Sequence, residues 1–367
     1  MTHDDDADVF FTRRTVPLKY CGNTLGEAMR VLIAAAGLLV ASSVYAQEPI
    51  TLRGMGSFHI GGRIAEVKGK EPRMIQRQPG GPVSKLDPNG QFMVEQMYVQ
   101  YFLPQNRKGK LPLLMWHGGG LTGATFESTP DGRDGWLNSF IRKGWDTYLS
   151  DAVERGRSGF ASPDVWSGEP TFLNYQDPYE RFRIGDGGGS WNEDPAKRRP
   201  IPGTQFPVEA YDNYMRQTVP RWLLTDAPII AAYTALVDKV CPCVLLAHSQ
   251  GASFAFKVAE ARPDKIKAIV GVEPATAGVV ANAGKLKDIP VLIVFGDFVD
   301  QHPRWATFKK IDTEYANAIK AAGGTVDWIN LPDIGIKGNS HMMMQDKNSD
   351  AIADVIQKWL VAKGLGD

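Results

Sequence analysis

One serine of this chain lies where the sequence pattern predicts a strand, a sharp turn and a helix. The apolar run 244–247 stops at His248-Ser249-Gln250-Gly251, and a helical pattern follows over residues 252–259. A serine at the apex of such a turn is open for attack, provided that the residues two before and two after it are small. Here these residues are Ala247 and Gly251. Ser249 is therefore the candidate nucleophile, and the alternative is an ordinary loop whose serine caps the helix.

The candidate base is a histidine, because a serine hydroxyl attacks efficiently only when a neighbouring group takes its proton. Six histidines are present, and His341 follows the last predicted strand, in Gly338-Asn339-Ser340-His341. Chains with a serine at a strand-turn-helix bend carry their base late in the sequence, after the acid. We expect His248 to point away from the serine beside it. The sequence favours His341 as the base over a structural or surface histidine.

A carboxylate must hold the imidazole in its useful tautomer and stabilise the protonated ring. Two acidic residues end predicted strands, Glu273 and Asp297. Asp297 ends the predicted strand 290–297, the commoner position for the acid of such a triad, whereas Glu273 comes one strand earlier and has a longer side chain. Spacing alone leaves both candidates open.

The negative oxygen that forms during attack on a carbonyl needs two or more backbone N–H groups aimed at it. Gln250, which follows the serine, supplies one such group. The loop His117-Gly118-Gly119-Gly120 follows a short apolar run, and its glycines allow the backbone to approach a substrate closely. We predict that Gly119 supplies the second N–H group, with Gly120 as the alternative. The competing interpretation is a plain glycine turn after a strand.

Short apolar strands alternate with helical patterns, which predicts a mostly parallel sheet flanked by helices. The predicted strands are 51–53, 58–60, 97–102, 111–116, 145–150, 244–247, 268–274, 290–297 and 326–331, and the predicted helices are 136–142, 206–223, 227–239, 305–322 and 350–363. About 90 residues separate the strand 145–150 from the serine strand, far more than one crossover needs. Residues 160–225 are therefore predicted to form a cap or lid insertion before the nucleophile strand.

The first 46 residues have the pattern of a leader and signal peptide. Arg30 precedes the apolar run 31–40, and Val44-Tyr45-Ala46 offers small residues for cleavage. The run is short for a membrane span, so we expect export to the periplasm or the medium, cleavage near Ala46 and no membrane anchor afterwards. Either Met1 or Met29 is the start.

Composition excludes some functions. The 367 residues carry 41 Lys and Arg against 41 Asp and Glu, so there is no basic field for a nucleic acid.

Cys241 and Cys243 have too few neighbouring ligands for a zinc site. A bridge between residues two apart would be strained, so we expect two buried thiols. No metal and no organic cofactor is predicted.

The segments that carry these candidates resemble a small group of secreted bacterial α/β-hydrolase esterases. The matching motifs are 116–123, 129–133, 156–158, 248–250, Val272-Glu273-Pro274, Pro303-Arg304-Trp305 and 338–346. The resemblance implies an α/β-hydrolase fold over residues 47–367, a homodimer, and a triad of Ser249, Glu273 and His341 with oxyanion donors at Gly119 and Gln250. The best-known member of the group has a disulfide of adjacent cysteines where this chain has Gly119-Gly120.

The sequence therefore predicts a serine hydrolase that cleaves small-molecule carboxylic esters through an acyl-enzyme intermediate. The first alternative is hydrolysis of amides or lactones by the same residues. The second is a catalytically inactive hydrolase fold that serves as a binding protein.

Overall fold

The computed structural model describes residues 49–367, so the predicted leader and signal peptide, residues 1–46, lie outside the described residues. Strands are numbered here in chain order. They are β1 (Leu52–Val67), β2 (Arg73–Gln76), β3 (Val83–Leu86), β4 (Gly90–Pro104), β5 (Leu113–Trp116), β6 (Thr147–Asp151), β7 (Cys243–His248), β8 (Ile266–Val272), β9 (Val291–Phe295) and β10 (Val326–Asn330).

Eight of these strands form one sheet in the order β1-β4-β6-β5-β7-β8-β9-β10, and β2 and β3 form a separate hairpin. Strands β1 and β4 are antiparallel to their neighbours, whereas β6, β5 and β7 to β10 run parallel to one another. The mostly parallel sheet predicted from the sequence is therefore confirmed. Strands β1 and β4 are much longer than the short runs predicted there. In β1, the alternation of exposed and half-buried residues continues beyond those runs.

Helices cover the sheet. They are α1 (Ala124–Glu127), α2 (Trp136–Arg142), α3 (Gln176–Arg181), α4 (Tyr211–Met215), α5 (Asp226–Val240), α6 (Gln250–Ala261), α7 (Pro303–Ala321) and α8 (Ser349–Ala362). Helix α5 packs on α6 and β1, and α2 packs on α8. All six residues of β7 are buried, as expected for a parallel strand covered on both faces.

The sheet register brings the loops of the candidate site together. Trp116 at the end of β5 pairs with Ala247 of β7, and His248 pairs with Val272 of β8. The carboxyl ends of parallel strands share one edge of the sheet. The glycine loop, Ser249 and Glu273 therefore leave the sheet side by side.

The helix predicted over 206–223 is wrong for most of its length. The structure has a short 3-10 turn, Val208–Ala210, and then only α4. Pro220 disfavours helical backbone at Val219. The N–H of Val219 instead donates to Gly120 O across the fold at 2.9 Å, so the chain leaves the helix to reach the glycine loop.

The expectation of two free thiols is also wrong, because Cys241 and Cys243 form a disulfide. Cys241 caps α5 with extended backbone angles, and Cys243 begins β7. The two Cα atoms are 4.4 Å apart, whereas an extended chain would separate residues two apart by about 6.6 Å, so the backbone bends sharply at Pro242 and brings the two sulfur atoms together. Pro242 between them cannot continue the helix.

Residues 160–225 contribute no strand to the eight-stranded sheet. Aromatic side chains within this segment pack on one another around Tyr211, whose ring contacts those of Tyr175, Tyr179, Trp191, Phe206 and Tyr214. Most of its aromatic residues thus form a local core, while Phe182 reaches the candidate site described below.

Packing at the serine turn leaves no room for a side chain at Gly251. A Cβ there would lie 2.5 Å from His117 O and 2.7 Å from Trp116 O, both backbone atoms. We predict that Gly251→Ala lowers the free energy of unfolding by about 2–3 kcal/mol, because overpacked backbone must shift. Chemical denaturation measures the change. Gly284→Ala, whose Cβ would meet its nearest atom at 3.8 Å, is the matched control. Equal stability of the two variants would contradict the prediction.

Candidate active site

Ser249 lies between β7 and α6 with φ of 53° and ψ of −120°. Non-glycine residues at such angles are strained and persist only where the surrounding structure holds them. Here the N–H of Ser249 donates to Val272 O at 3.0 Å, and the N–H of Ala275 donates to Ser249 O at 3.1 Å. These bonds tie the bend to the strand beside it, and the serine keeps 8% of its surface exposed.

The structure brings His341 into contact with Glu273, not with Asp297. His341 Nδ1 lies 2.6 Å from Glu273 Oε2, and both side chains are fully buried. The Asp297 carboxylate accepts hydrogen bonds from the backbone N–H groups of Phe298 and Gly338 at 2.8 and 2.9 Å. Asp297 thus fixes two loops, and the contact with the imidazole belongs to the glutamate.

A second arrangement holds the other oxygen of Glu273. Glu273 Oε1 accepts from Gly296 N at 2.8 Å and from the guanidinium of Arg183. Arg183 is also buried, and its Nε donates to Asp297 O at 2.8 Å. Sequence reasoning missed Arg183, because it lies 90 positions from Glu273 and no local pattern marks it.

Aromatic rings enclose the imidazole of His341. Its ring centroid lies 3.8 Å from that of Trp305, 4.9 Å from that of Phe182 and 4.5 Å from that of His248. The expectation that His248 points away from the serine is therefore wrong in part, since its ring packs on His341 and lines the same cavity.

The charge state of His341 follows from this enclosure. Burial, and then the positive charges of Arg183, Arg181 and Arg304, hold the pKa of His341 well below its ordinary value. The imidazole is therefore neutral at neutral pH. Its Nε2 is buried and has no hydrogen-bond partner among the described residues.

The loop that carries His341 is held by a buried carboxyl group. Asp346 accepts from Asn339 Nδ2 at 3.0 Å, from Ser340 N at 2.9 Å and from Ser340 Oγ at 2.7 Å. Burial raises the pKa of Asp346 to about 7. The residues before and after His341 are thereby fixed relative to each other.

The glycine loop approaches the serine turn closely. A Cβ at Gly118 would lie 2.9 Å from His248 Nδ1, and a Cβ at Gly119 would lie 3.0 Å from Gln250 Oε1. His117 anchors the loop, since its Nε2 accepts from Ala152 N at 2.9 Å and its Nδ1 lies 2.8 Å from Gly118 O. Burial lowers the pKa of His117 to about 4, so this anchor is neutral.

One cavity of about 190 Å³ unites these groups, because Ser249, His341, Gly119 and Gln250 all line it. Glu273 lies behind His341. No hydrogen bond from the N–H groups of Gly119 or Gln250 is found within residues 49–367. In that same part of the chain, no group of His, Cys, Asp and Glu could hold a metal ion, and no helix is long and apolar enough to cross a membrane.

The sheet, its flanking helices and the serine bend define an α/β-hydrolase fold. A solved structure described as a novel bacterial esterase is 36% identical to this chain, with a TM-score of 0.74, and the match covers 86% of this chain and 97% of that one. A probable secreted lipase, phiG, from Fungal sp. (strain ATCC 74256) is 28% identical over 72% of this chain and 85% of its own length. No family model matches. The chain belongs to the α/β-hydrolase family of esterases and lipases and is a carboxylic ester hydrolase.

Removal of the Asp346 carboxylate tests how the His341 loop is held. We predict that Asp346→Ala lowers the free energy of unfolding by about 2–4 kcal/mol, because buried donors lose their acceptor. Denaturant titration measures the change. Asp288→Ala, at an exposed aspartate, is the control and should change stability by less than about 0.5 kcal/mol. An Asp346→Ala protein as stable as the control would show that the loop does not depend on these bonds.

Proposed function

We propose that this esterase works through Ser249 as nucleophile, His341 as base and then acid, and Glu273 as the residue that orients His341. The observation that carries the proposal is the 2.6 Å contact between His341 Nδ1 and Glu273 Oε2. The Nε2 of the same ring has no partner among the described residues, and His341 and Ser249 line one cavity. A histidine bound at Nδ1 by a carboxylate presents Nε2 to take a proton.

The reaction then has two halves. Ser249 Oγ attacks the ester carbonyl while His341 Nε2 takes the hydroxyl proton, and the tetrahedral intermediate collapses as His341 passes that proton to the leaving alcohol. Water, activated by His341, attacks the acyl-enzyme in the same way, and the acid leaves.

The N–H groups of Gly119 and Gln250 stabilise the oxyanion in this proposal. Both residues line the cavity beside Ser249, and neither N–H is engaged elsewhere within the described residues. Donors of this kind are effective because they are already aimed before charge develops. The hydrogen bonds of His117 keep the glycine loop in place without the bridge of adjacent cysteines found in the best-known member of the group.

Arg183 supports Glu273 in the same proposal. A carboxylate buried beside an imidazole alone would lack compensation for its charge. The guanidinium of Arg183 and the N–H of Gly296 supply hydrogen bonds to the oxygen that His341 does not use. The carboxylate is thereby held in position.

We also propose that residues 160–225 are a cap over the site, since Leu173, Arg181 and Arg221 from this segment line the cavity. Export after removal of residues 1–46 is proposed from the leader pattern and is consistent with a relative described as a probable secreted lipase. The homodimer implied by the resemblance stays a prediction.

Substitution of the two competing acids tests the triad. We predict that Glu273→Gln lowers kcat for a chromogenic short-chain ester by about 10³–10⁴-fold, because the imidazole loses its orienting charge. Asp297→Asn should stay within about tenfold of the parent, because the carboxylate only accepts backbone hydrogen bonds. Ser249→Ala should lose about a millionfold. If only Asp297→Asn abolished activity, the acid would be assigned wrongly. Circular dichroism checks that each variant is folded.

The pH dependence of kcat/KM tests the environment of His341. A base must be neutral, and a lowered pKa keeps His341 neutral to a lower pH than an ordinary histidine with a pKa of about 6.5. We predict that the acid limb of kcat/KM has its midpoint below pH 6.5. His59→Gln, at an exposed position of β1, should leave the midpoint unchanged. A midpoint above pH 7 would contradict this account of the imidazole.

A further inference from the structure

Three arginine side chains converge on the cavity that holds Ser249: Arg181, Arg221 and Arg304. They come from separate parts of the fold. Arg181 ends α3, and Arg304 lies in the first turn of α7. Arg221 is fixed by paired backbone hydrogen bonds with Thr171 at 2.8 and 3.0 Å. All three also line an adjoining space of about 320 Å³ that opens from the cavity.

The positive charge of this cluster is only partly compensated. Arg181 forms an ion pair with Asp177 at 2.5 Å. Arg221 donates to Gln250 Oε1 at 3.0 Å, and the guanidinium of Arg304 lies 5.2 Å from the centroid of the Phe308 ring. Among the described residues, neither of these two arginines forms an ion pair within 4.0 Å.

Two carboxylates lie near the cluster. Asp177 lines the adjoining space with the three arginines, and Asp226 lies 3.5 Å from Gln250 Nε2 and not on the cavity wall. Burial, and then the charge of Arg181, lower the pKa of Arg221 and of Arg304. The arginines therefore repel one another as like charges. Two histidines of the cavity, His248 and His341, have pKa values well below the ordinary value and add no positive charge at neutral pH.

Like charges held together with incomplete compensation cost free energy, and a bound anion offsets that cost. Guanidinium groups match carboxylates through paired hydrogen bonds and are less strongly hydrated than ammonium groups. The rest of the wall is apolar, with Leu173, Trp305 and Phe308. A cavity with this lining suits a short carbon skeleton that ends in a negative group.

We propose that the site is selective for esters that carry a carboxylate, such as hemiesters of dicarboxylic acids, and that Arg221 and Arg304 bind this carboxylate. The proposal rests on the function proposed above and names the substrate class of the same site. The carboxylate lies either on the acyl part or on the alcohol part of the ester, and the experiment separates these cases.

Two matched pairs of esters test the selectivity. On the acyl side, p-nitrophenyl hydrogen glutarate is compared with p-nitrophenyl valerate. On the alcohol side, 4-acetoxybenzoate is compared with its neutral methyl ester. Each kcat/KM is divided by the rate constant for uncatalysed hydroxide hydrolysis, which removes differences in intrinsic reactivity. We expect the corrected kcat/KM of the anionic ester to be at least about tenfold higher than that of the neutral ester in one pair, because hydrogen bonds between the guanidinium groups and a carboxylate are strong.

Variants assign this preference to the arginines. Arg304→Gln and Arg221→Gln should each reduce the ratio of the corrected kcat/KM for the anionic ester to that for the neutral ester at least about fivefold. This holds whatever happens to the absolute rates. Arg304→Lys, which keeps the charge, should retain more of the ratio than Arg304→Gln. Arg262→Gln is the control, since Arg262 is partly exposed, lies outside the cavity and is paired with Asp238 at 2.8 Å. It should leave the ratio unchanged.

The outcomes separate this proposal from the triad. If valerate is hydrolysed but neither anionic ester is preferred, or if the preference survives both glutamine substitutions, the selectivity proposal is overturned and the hydrolase stands. If no ester is hydrolysed, calorimetry of Ser249→Ala with monomethyl glutarate decides. Binding that Arg304→Gln abolishes supports the carboxylate site without the triad, and the absence of binding overturns the site as well.

Discussion

A carboxylate inside a protein must be compensated, and the structure around this active site is arranged about that requirement. Glu273 is fully buried. The imidazole of His341 contacts one oxygen, and the guanidinium of Arg183 and the N–H of Gly296 bind the other. Loss of Arg183 would leave the carboxylate charge unpaired in a medium of low dielectric constant, which costs several kcal/mol. The Glu273 side chain therefore joins three parts of the fold: the ends of the strands, the segment between β6 and β7, and the loop that carries His341.

The same arrangement explains why the imidazole is useful. With Nδ1 engaged by Glu273, and with burial and neighbouring arginines lowering its pKa, the ring of His341 stays neutral and leaves Nε2 unoccupied. Glycines on the adjacent loop let backbone amides approach Ser249 where side chains would collide. The Ser249 hydroxyl forms no hydrogen bond with Nε2 in the structure, so the proposed catalysis requires the hydroxyl and the ring to come within hydrogen-bond distance of each other. The arginines at the cavity add a means of choosing among esters.

The sequence predicted the parts of the site that depend on local structure. The bend at Ser249 follows from an apolar run, a small residue and a helical pattern that are adjacent in the chain. It did not choose between Glu273 and Asp297, because both end neighbouring strands, and only the resemblance implied the glutamate. Arg183 and the convergence of arginines were missed, since they depend on how a long irregular segment folds back over the sheet. The failed helix 206–223 and the Cys241–Cys243 disulfide have the same origin, in prolines that redirect the backbone.

The central claim is that the environment of Ser249 makes its hydroxyl a nucleophile. Incubation of the native protein with a fluorophosphonate, followed by mass spectrometry of the intact chain and of its peptides, tests this most directly. The account predicts one adduct, on the peptide that contains Ser249, and no adduct after denaturation, because isolated serine hydroxyls react poorly. An unlabelled native protein, or an adduct on another serine while Ser249 stays free, would contradict it.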